Sequence, residues 1–167
     1  MTNSNVFEVI HVLLTQGHLE EALRILYNSR NDTIKPPYDH DLNHAWYVVG
    51  DIYFRNKDFK RAVHAFKHSL DAWQEDSDAY LAIGNCYDEL CEYTAAEDHF
   101  RKALEINPKC ERSMFNLGNM LFDQEKYQEA IECYKEVVNS DTVVGKRSYK
   151  NIKLAKSRLK NLKKKSY

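Results

Sequence analysis

The sequence predicts an all-α array of antiparallel helix pairs closed by a C-terminal helix, and three observations carry that prediction. The 167 residues include only five Gly and three Pro, too few turn formers for a loop-rich or all-β fold. Displacing the chain on itself by 34 residues superposes Gly50, Gly84 and Gly118, and likewise Ala62, Ala96 and Ala130. Within each unit the apolar positions then fall, twice, at the spacing of one helix face.

Taken in order, residues 4–30 read as a degenerate helix pair. Val6, Val9, Ile10 and Leu13 form one stripe and Leu19, Ala22, Leu23 and Leu26 a second, across Thr15-Gln16-Gly17-His18. Aligning Ala22 with Ala62 takes a lag of 40 instead of 34. About six residues are therefore inserted within 31–42, where Pro36-Pro37 cannot continue a helix. Three regular units follow at 43–76, 77–110 and 111–144. In the first, positions 46, 49, 50 and 53 make one helix stripe and 59, 62, 66 and 69 the next. The polar turn Arg55-Asn56-Lys57-Asp58 is short enough that the helices must run antiparallel. Gly50 and Ala62 are read as sites of close backbone approach, with Trp46, Tyr53 and Phe66 filling the space around them. Residues 145–167 read as a basic helix whose stripe Ile152, Ala155, Leu159 and Leu162 covers the exposed end of the array.

Composition bounds the function. With 43% hydrophobic and 29% charged residues the chain resembles ordinary soluble globular proteins, not disordered or membrane-embedded ones. No stretch approaches the ~18 consecutive apolar residues of a membrane span. The start at Met1 carries no charged-then-apolar leader. Cys86, Cys91, Cys110 and Cys133 form no CxxC pair and read as free thiols, Cys86 and Cys91 as small buried hydrophobes. The expected location is cytoplasmic, with nuclear as the alternative. Net charge is −1, but residues 1–145 hold 14 Lys+Arg against 25 Asp+Glu, and residues 146–167 hold ten against none.

The repeated columns resemble the tetratricopeptide repeat, a 34-residue helix-turn-helix. The second unit matches it best, with Tyr80-Leu81-Ala82-Ile83-Gly84-Asn85-Cys86-Tyr87, then Ala96, Phe100, Ala103 and a closing Asn107-Pro108. Gln74 and Thr142 stand at the Pro place of the other two units, a departure in the turn and not in the core. The resemblance implies a right-handed α-solenoid that binds protein.

Catalysis finds no support: there is no glycine-rich phosphate loop, no HExxH and no GxSxG. No cofactor or metal is expected. His64 and His68, and His40 and His44, stand four apart, but no completing ligand is visible and all four read as ordinary surface or interface histidines. Tyr53, Tyr87, Tyr93 and Tyr127 fall in core columns.

Binding is expected instead on the first helices of the units, which line the concave side of such arrays. Tyr47, Leu81 and Phe115 would form an apolar strip there. Asp51, Asn85 and Asn119 follow, then Phe54, Asp88 and Phe122, with Arg112 nearby. Asn side chains can hold a peptide backbone through both donor and acceptor, and the excess of acids favours a ligand with basic residues around an apolar anchor. Some members of the resembling family, co-chaperones of heat-shock chaperones, grip a C-terminal carboxylate through two Asn and several Lys/Arg on three successive first helices. In that frame Asn85, Asn116, Lys146 and Lys150 match, while Leu81 stands where the first Lys belongs.

The expected function is a protein-binding adaptor, co-chaperone or assembly factor that holds a peptide or helix of its partner. One alternative is a dimeric secretion chaperone, since chaperones of bacterial translocator subunits resemble the chain in size and repeat number. The other is a nucleic-acid-associated factor using the basic surface of Lys146, Lys150, Lys153 and Lys156, with Tyr149 and Tyr167 available to stack on bases. Membrane attachment is not expected.

Overall fold

The structure, a computed structural model, describes residues 6–165. Residues 4 and 5 of the first helix pair, and Tyr167, lie outside the described residues. Among the described residues the chain forms helices α1 (Glu8–Thr15) and α2 (Leu19–Leu26), two short strands, and then α3 (Leu42–Arg55), α4 (Phe59–Ala72), α5 (Ser77–Glu89), α6 (Tyr93–Ile106), α7 (Glu111–Asp123), α8 (Tyr127–Val137) and α9 (Val143–Lys165). The chain is an all-α solenoid. Each even-numbered helix from α2 to α8 packs against both the helix before it and the one after it.

The turns inside the hairpins are alike because one backbone device repeats. Lys57, Cys91 and Glu125, each 34 residues from the next, adopt left-handed φ of 59°, 59° and 61°. In each turn the next N–H bonds the carbonyl five residues back: Asp58 to Tyr53, Glu92 to Tyr87 and Lys126 to Leu121, all at 2.9 Å. This is a Schellman cap, which satisfies the last carbonyls of the first helix and reverses the chain. Gly17, forty residues before Lys57, takes the same role with φ 80°, and His18 N–H reaches Leu13 O at 2.8 Å. Cys91, read from the sequence as buried, is exposed because it occupies this turn. Cys86 is buried, and burial pushes its thiol up to about 12.

The glycine columns have a different cause from the expected one. A β-carbon on Gly50 would meet the Phe66 ring at 2.5 Å, on Gly84 the Phe100 ring at 2.6 Å, and on Gly118 the Tyr134 ring at 2.7 Å. The glycine admits an aromatic ring of the second helix; it is not there for backbone-to-backbone contact. Ala62, Ala96 and Ala130 are fully buried beneath.

The insertion holds more structure than a loop. Strands β1 (Tyr27–Asn28) and β2 (Thr33–Ile34) pair antiparallel, with Tyr27 opposite Ile34. A cis Pro36-Pro37 bond leads into a 3-10 turn at Tyr38–His40. Ile34 and Tyr38 are buried, Tyr38 with its ring 5.3 Å from that of Phe7, so the segment is tied to the N-terminal core. At the next junction Asn43 donates to Ser69 Oγ at 2.9 Å and to Asp76 Oδ2 at 3.0 Å, and Asp76 also caps α5 by accepting from Asp78 and Ala79 N–H. Ser69 and Asp76 are buried; each polar group is paired, as burial requires.

Helix α9 packs on α8 with Ile152 and Ala155 buried and Leu159 partly so, while Leu162 is 39% exposed. With 23 residues against the 11 of α8, α9 outruns the surface it covers. No helix among the described residues is long and apolar enough to cross a membrane.

Candidate functional site

Helices α3, α5, α7 and α9 stand side by side, each touching the next. A small rotation per hairpin curves such a stack and makes this row of first helices its concave wall.

The apolar strip expected along this wall is not there. Leu81 and Phe115 are only 1% and 4% exposed and belong to the core that α5 and α7 share with α6 and α8. At this step along the helix the side chain turns into the junction between hairpins, and Arg147 of α9 covers the Phe115 ring at 5.0 Å. Tyr47 alone is half-exposed, its ring 5.2 Å from Phe66. Burial, reinforced by Asp78, pushes its phenol up to about 12.

Phe54 and Phe122 also have another task. Phe54 meets Phe59 at 5.4 Å and Phe122 meets Tyr127 at 5.1 Å, ring to ring across the hairpin turn. They fasten the end of one helix to the start of the next. Asp88 occupies the same column in the middle repeat, and its would-be partner Tyr93 is left 36% exposed. Half-buried in a place its neighbours give to Phe, Asp88 has its carboxyl held above the usual range, first by burial and then by Asp123 and Glu89.

What remains is polar. Asn116 donates to Asn85 Oδ1 at 2.7 Å, linking α7 to α5. Asn119 Oδ1 accepts from Tyr134 Oη at 2.8 Å and from Asn151 of α9 at 3.0 Å. Asp51 pairs with Arg55 at 2.8 Å, and Arg112 is exposed. Three successive first helices are thus joined through asparagines flanked by charges. The sequence reading missed Asn151 and Arg147, because it treated α9 as a cover and not as a fourth first helix.

The basic surface is spread around α9. Lys146 lies 3.8 Å from Asp141, Lys153 sits 4.5 Å above the Tyr149 ring, and Lys150 is exposed. Lys156 helps line a cleft of about 690 Å³ between α8 and α9, floored by Ile131 and Leu159. His40 and His44 have other partners: His40 Nδ1 meets Pro37 O at 2.5 Å, and the His44 ring packs edge-on against Phe7 of the N-terminal segment at 4.5 Å. His64 and His68 are different. Asp32, from the inserted hairpin, approaches both, a carboxylate that no local spacing could reveal.

Comparison with known proteins agrees with this architecture. The family described as tetratricopeptide repeat matches residues 44–72, 77–110 and 112–139. The small glutamine-rich tetratricopeptide repeat-containing protein 2 of Mycosarcoma maydis is 26% identical over 107 residues, which are 63% of this chain and 30% of that protein. The chain therefore spans less than a third of that relative's length. Among solved structures, the TPR2B domain of yeast Sti1, in a complex with pHsp70, superposes with a TM-score of 0.66 at 17% identity over 70% of this chain and 98% of that one. MamA superposes with a TM-score of 0.71 at 20% identity over 91% of this chain and 79% of that one. At these identities the structures speak for the fold alone. The matched units cover more than half of the sequence and coincide with the hairpins α3–α4, α5–α6 and α7–α8, and the chain belongs to the tetratricopeptide repeat family.

Proposed function

We propose that this chain is a non-enzymatic protein-binding module that holds an extended segment of a partner along the wall of α3, α5, α7 and α9. The observation that carries the reading is the Asn85–Asn116 pair, half-buried between two first helices. Amide side chains fixed in this way offer both donor and acceptor to a peptide backbone. The Sti1 domain of the same architecture is solved as a complex with a protein partner, which supports a protein ligand here.

On α3, α5 and α7 the acids Asp51, Asp78, Asp88, Glu89 and Asp123 outnumber Arg55 and Arg112, so the segment favoured there is one with basic residues. Tyr47 is the half-exposed aromatic that meets its apolar anchor. A C-terminal carboxylate is the weaker ligand: Leu81, at the place of the first cation, is buried in the core.

The test is affinity capture with the intact chain beside a Tyr47→Ala, Asn85→Ala double variant. Both side chains are only half-buried, so the fold is expected to persist, checked by circular dichroism. A protein captured by the first and lost from the second supports the reading. Capture of the same proteins by both overturns it, and retention of nucleic acid alone, steeply weakened by added salt, would transfer the binding function to α9.

A further inference from the structure

We propose that Asp32, His64 and His68 form a site for a divalent transition-metal ion, zinc being the one its donors suit best, that pins the inserted β-hairpin to α4. The two imidazoles project from one face of α4 because their residues are four apart, and their rings meet edge to face at 4.6 Å. Asp32 arrives from the hairpin, at a turn position with φ 55°. Its Oδ2 lies 2.8 Å from His64 Nε2 and 3.5 Å from His68 Nε2. The three donor atoms all lie within 4.8 Å of one another, the one such His/Cys/carboxylate group among the described residues. A tetrahedral zinc ion with bonds of about 2.0–2.1 Å sets its donors about 3.3 Å apart. Small side-chain rotations, with the backbone as it stands, therefore open room for the ion.

The groups behind the donors are already aimed. Tyr27 Oη donates to Asp32 Oδ1 at 2.7 Å, which leaves Oδ2 turned toward the histidines. Asp71 Oδ2 lies 3.4 Å from His68 Nδ1, and Nε2 is the ring nitrogen that faces Asp32. The Trp46 indole stacks on the His68 ring at 4.5 Å and fixes its plane. Support of this kind orients ligands in built metal sites. Two imidazoles and one carboxylate belong to the borderline class of donors that favours zinc over calcium or magnesium. Asp32 and His64 are exposed, so water completes the coordination. Binding would fasten two segments some thirty residues apart, and the whole gain would appear as stability of the folded chain.

The test uses the full chain with zinc alone as probe. Calorimetry is expected to give one zinc per chain, with a rise in Tm, and uptake that fades as pH falls through the imidazole range. Cobalt in place of zinc should give visible absorption bands of a low-coordinate ion. Asp32→Asn, which retains the Tyr27 bond, and a His64→Gln, His68→Gln double variant should each weaken binding by about tenfold or more. His44→Gln, whose ring packs against Phe7 away from Asp32, should leave it unchanged. No saturable uptake at micromolar zinc, or equal uptake by the double variant, overturns the proposal and leaves an ordinary hydrogen-bonded triad.

Discussion

Phe100 lies so closely across Gly84 that a single β-carbon on the glycine would come within 2.6 Å of its ring. The pair joins the two helices of the middle hairpin, the ring of α6 lying in the space that the glycine of α5 leaves open. Gly84→Ala is therefore expected to lower stability by about 1–3 kcal/mol, the usual cost of overpacking a filled core, although alanine is the better helix former. In a Phe100→Leu background the same change should cost measurably less, because the flat ring has gone. Urea denaturation of the two single variants and the double variant reads the coupling, and purely additive effects would show that the ring does not set the requirement.

The repeated left-handed turn gives a prediction of opposite sign. Glu125 holds φ 61° with a side chain that such a conformation strains, whereas Gly17 fills the matching place without strain. Glu125→Gly is expected to raise stability by roughly 0.5–1 kcal/mol, and Gly17→Ala to lower it by a like amount. Denaturant midpoints check both, and a loss of stability in Glu125→Gly would mean that the Glu125 side chain contributes more than the backbone relief returns.

Asp88 predicts a pH dependence. Its folded-state carboxyl is raised above the ordinary value near 3.8, by burial first and by Asp123 and Glu89 after it. A raised carboxyl makes the folded chain bind its proton more tightly than the unfolded chain does. The associated stability is complete below the ordinary value and is lost as pH rises through the folded one. Asp88→Asn should therefore raise Tm at neutral pH and flatten the Tm profile across the weakly acidic range. Asp88→Phe, restoring the ring that the flanking repeats place opposite residues 59 and 127, should raise Tm further. Thermal melts from pH 4 to 8 decide it, and a profile unchanged in Asp88→Asn would assign the dependence to another group.

The fold was legible wherever one residue type recurred at a fixed lag. Gly50, Gly84 and Gly118 with Ala62, Ala96 and Ala130 located every regular hairpin, and the longer lag of Ala22 located the insertion. Period alone does not say which way a helix turns within the stack. Leu81 and Phe115 follow the core column by one residue, and that step carries them into the junction between hairpins, not into the open groove. Phe54 and Phe122 read as groove residues because their partners Phe59 and Tyr127 lie across a turn, a pairing that a single stripe does not display. Asp32 was invisible as a neighbour of His64 because it reaches α4 only through a two-residue strand pairing too short to leave an alternating pattern. Asn151 was hidden by the mass of lysine around it.

The acid-free helix α9 at one end of a body carrying eleven surplus negative charges gives the molecule a permanent electric dipole far larger than its near-zero total suggests. In a field, or beside a charged surface, such a particle turns before it touches. Its encounters at low ionic strength are therefore oriented ones, with one pole leading, and that bias fades once counterions shorten the reach of each charge to about 8–10 Å.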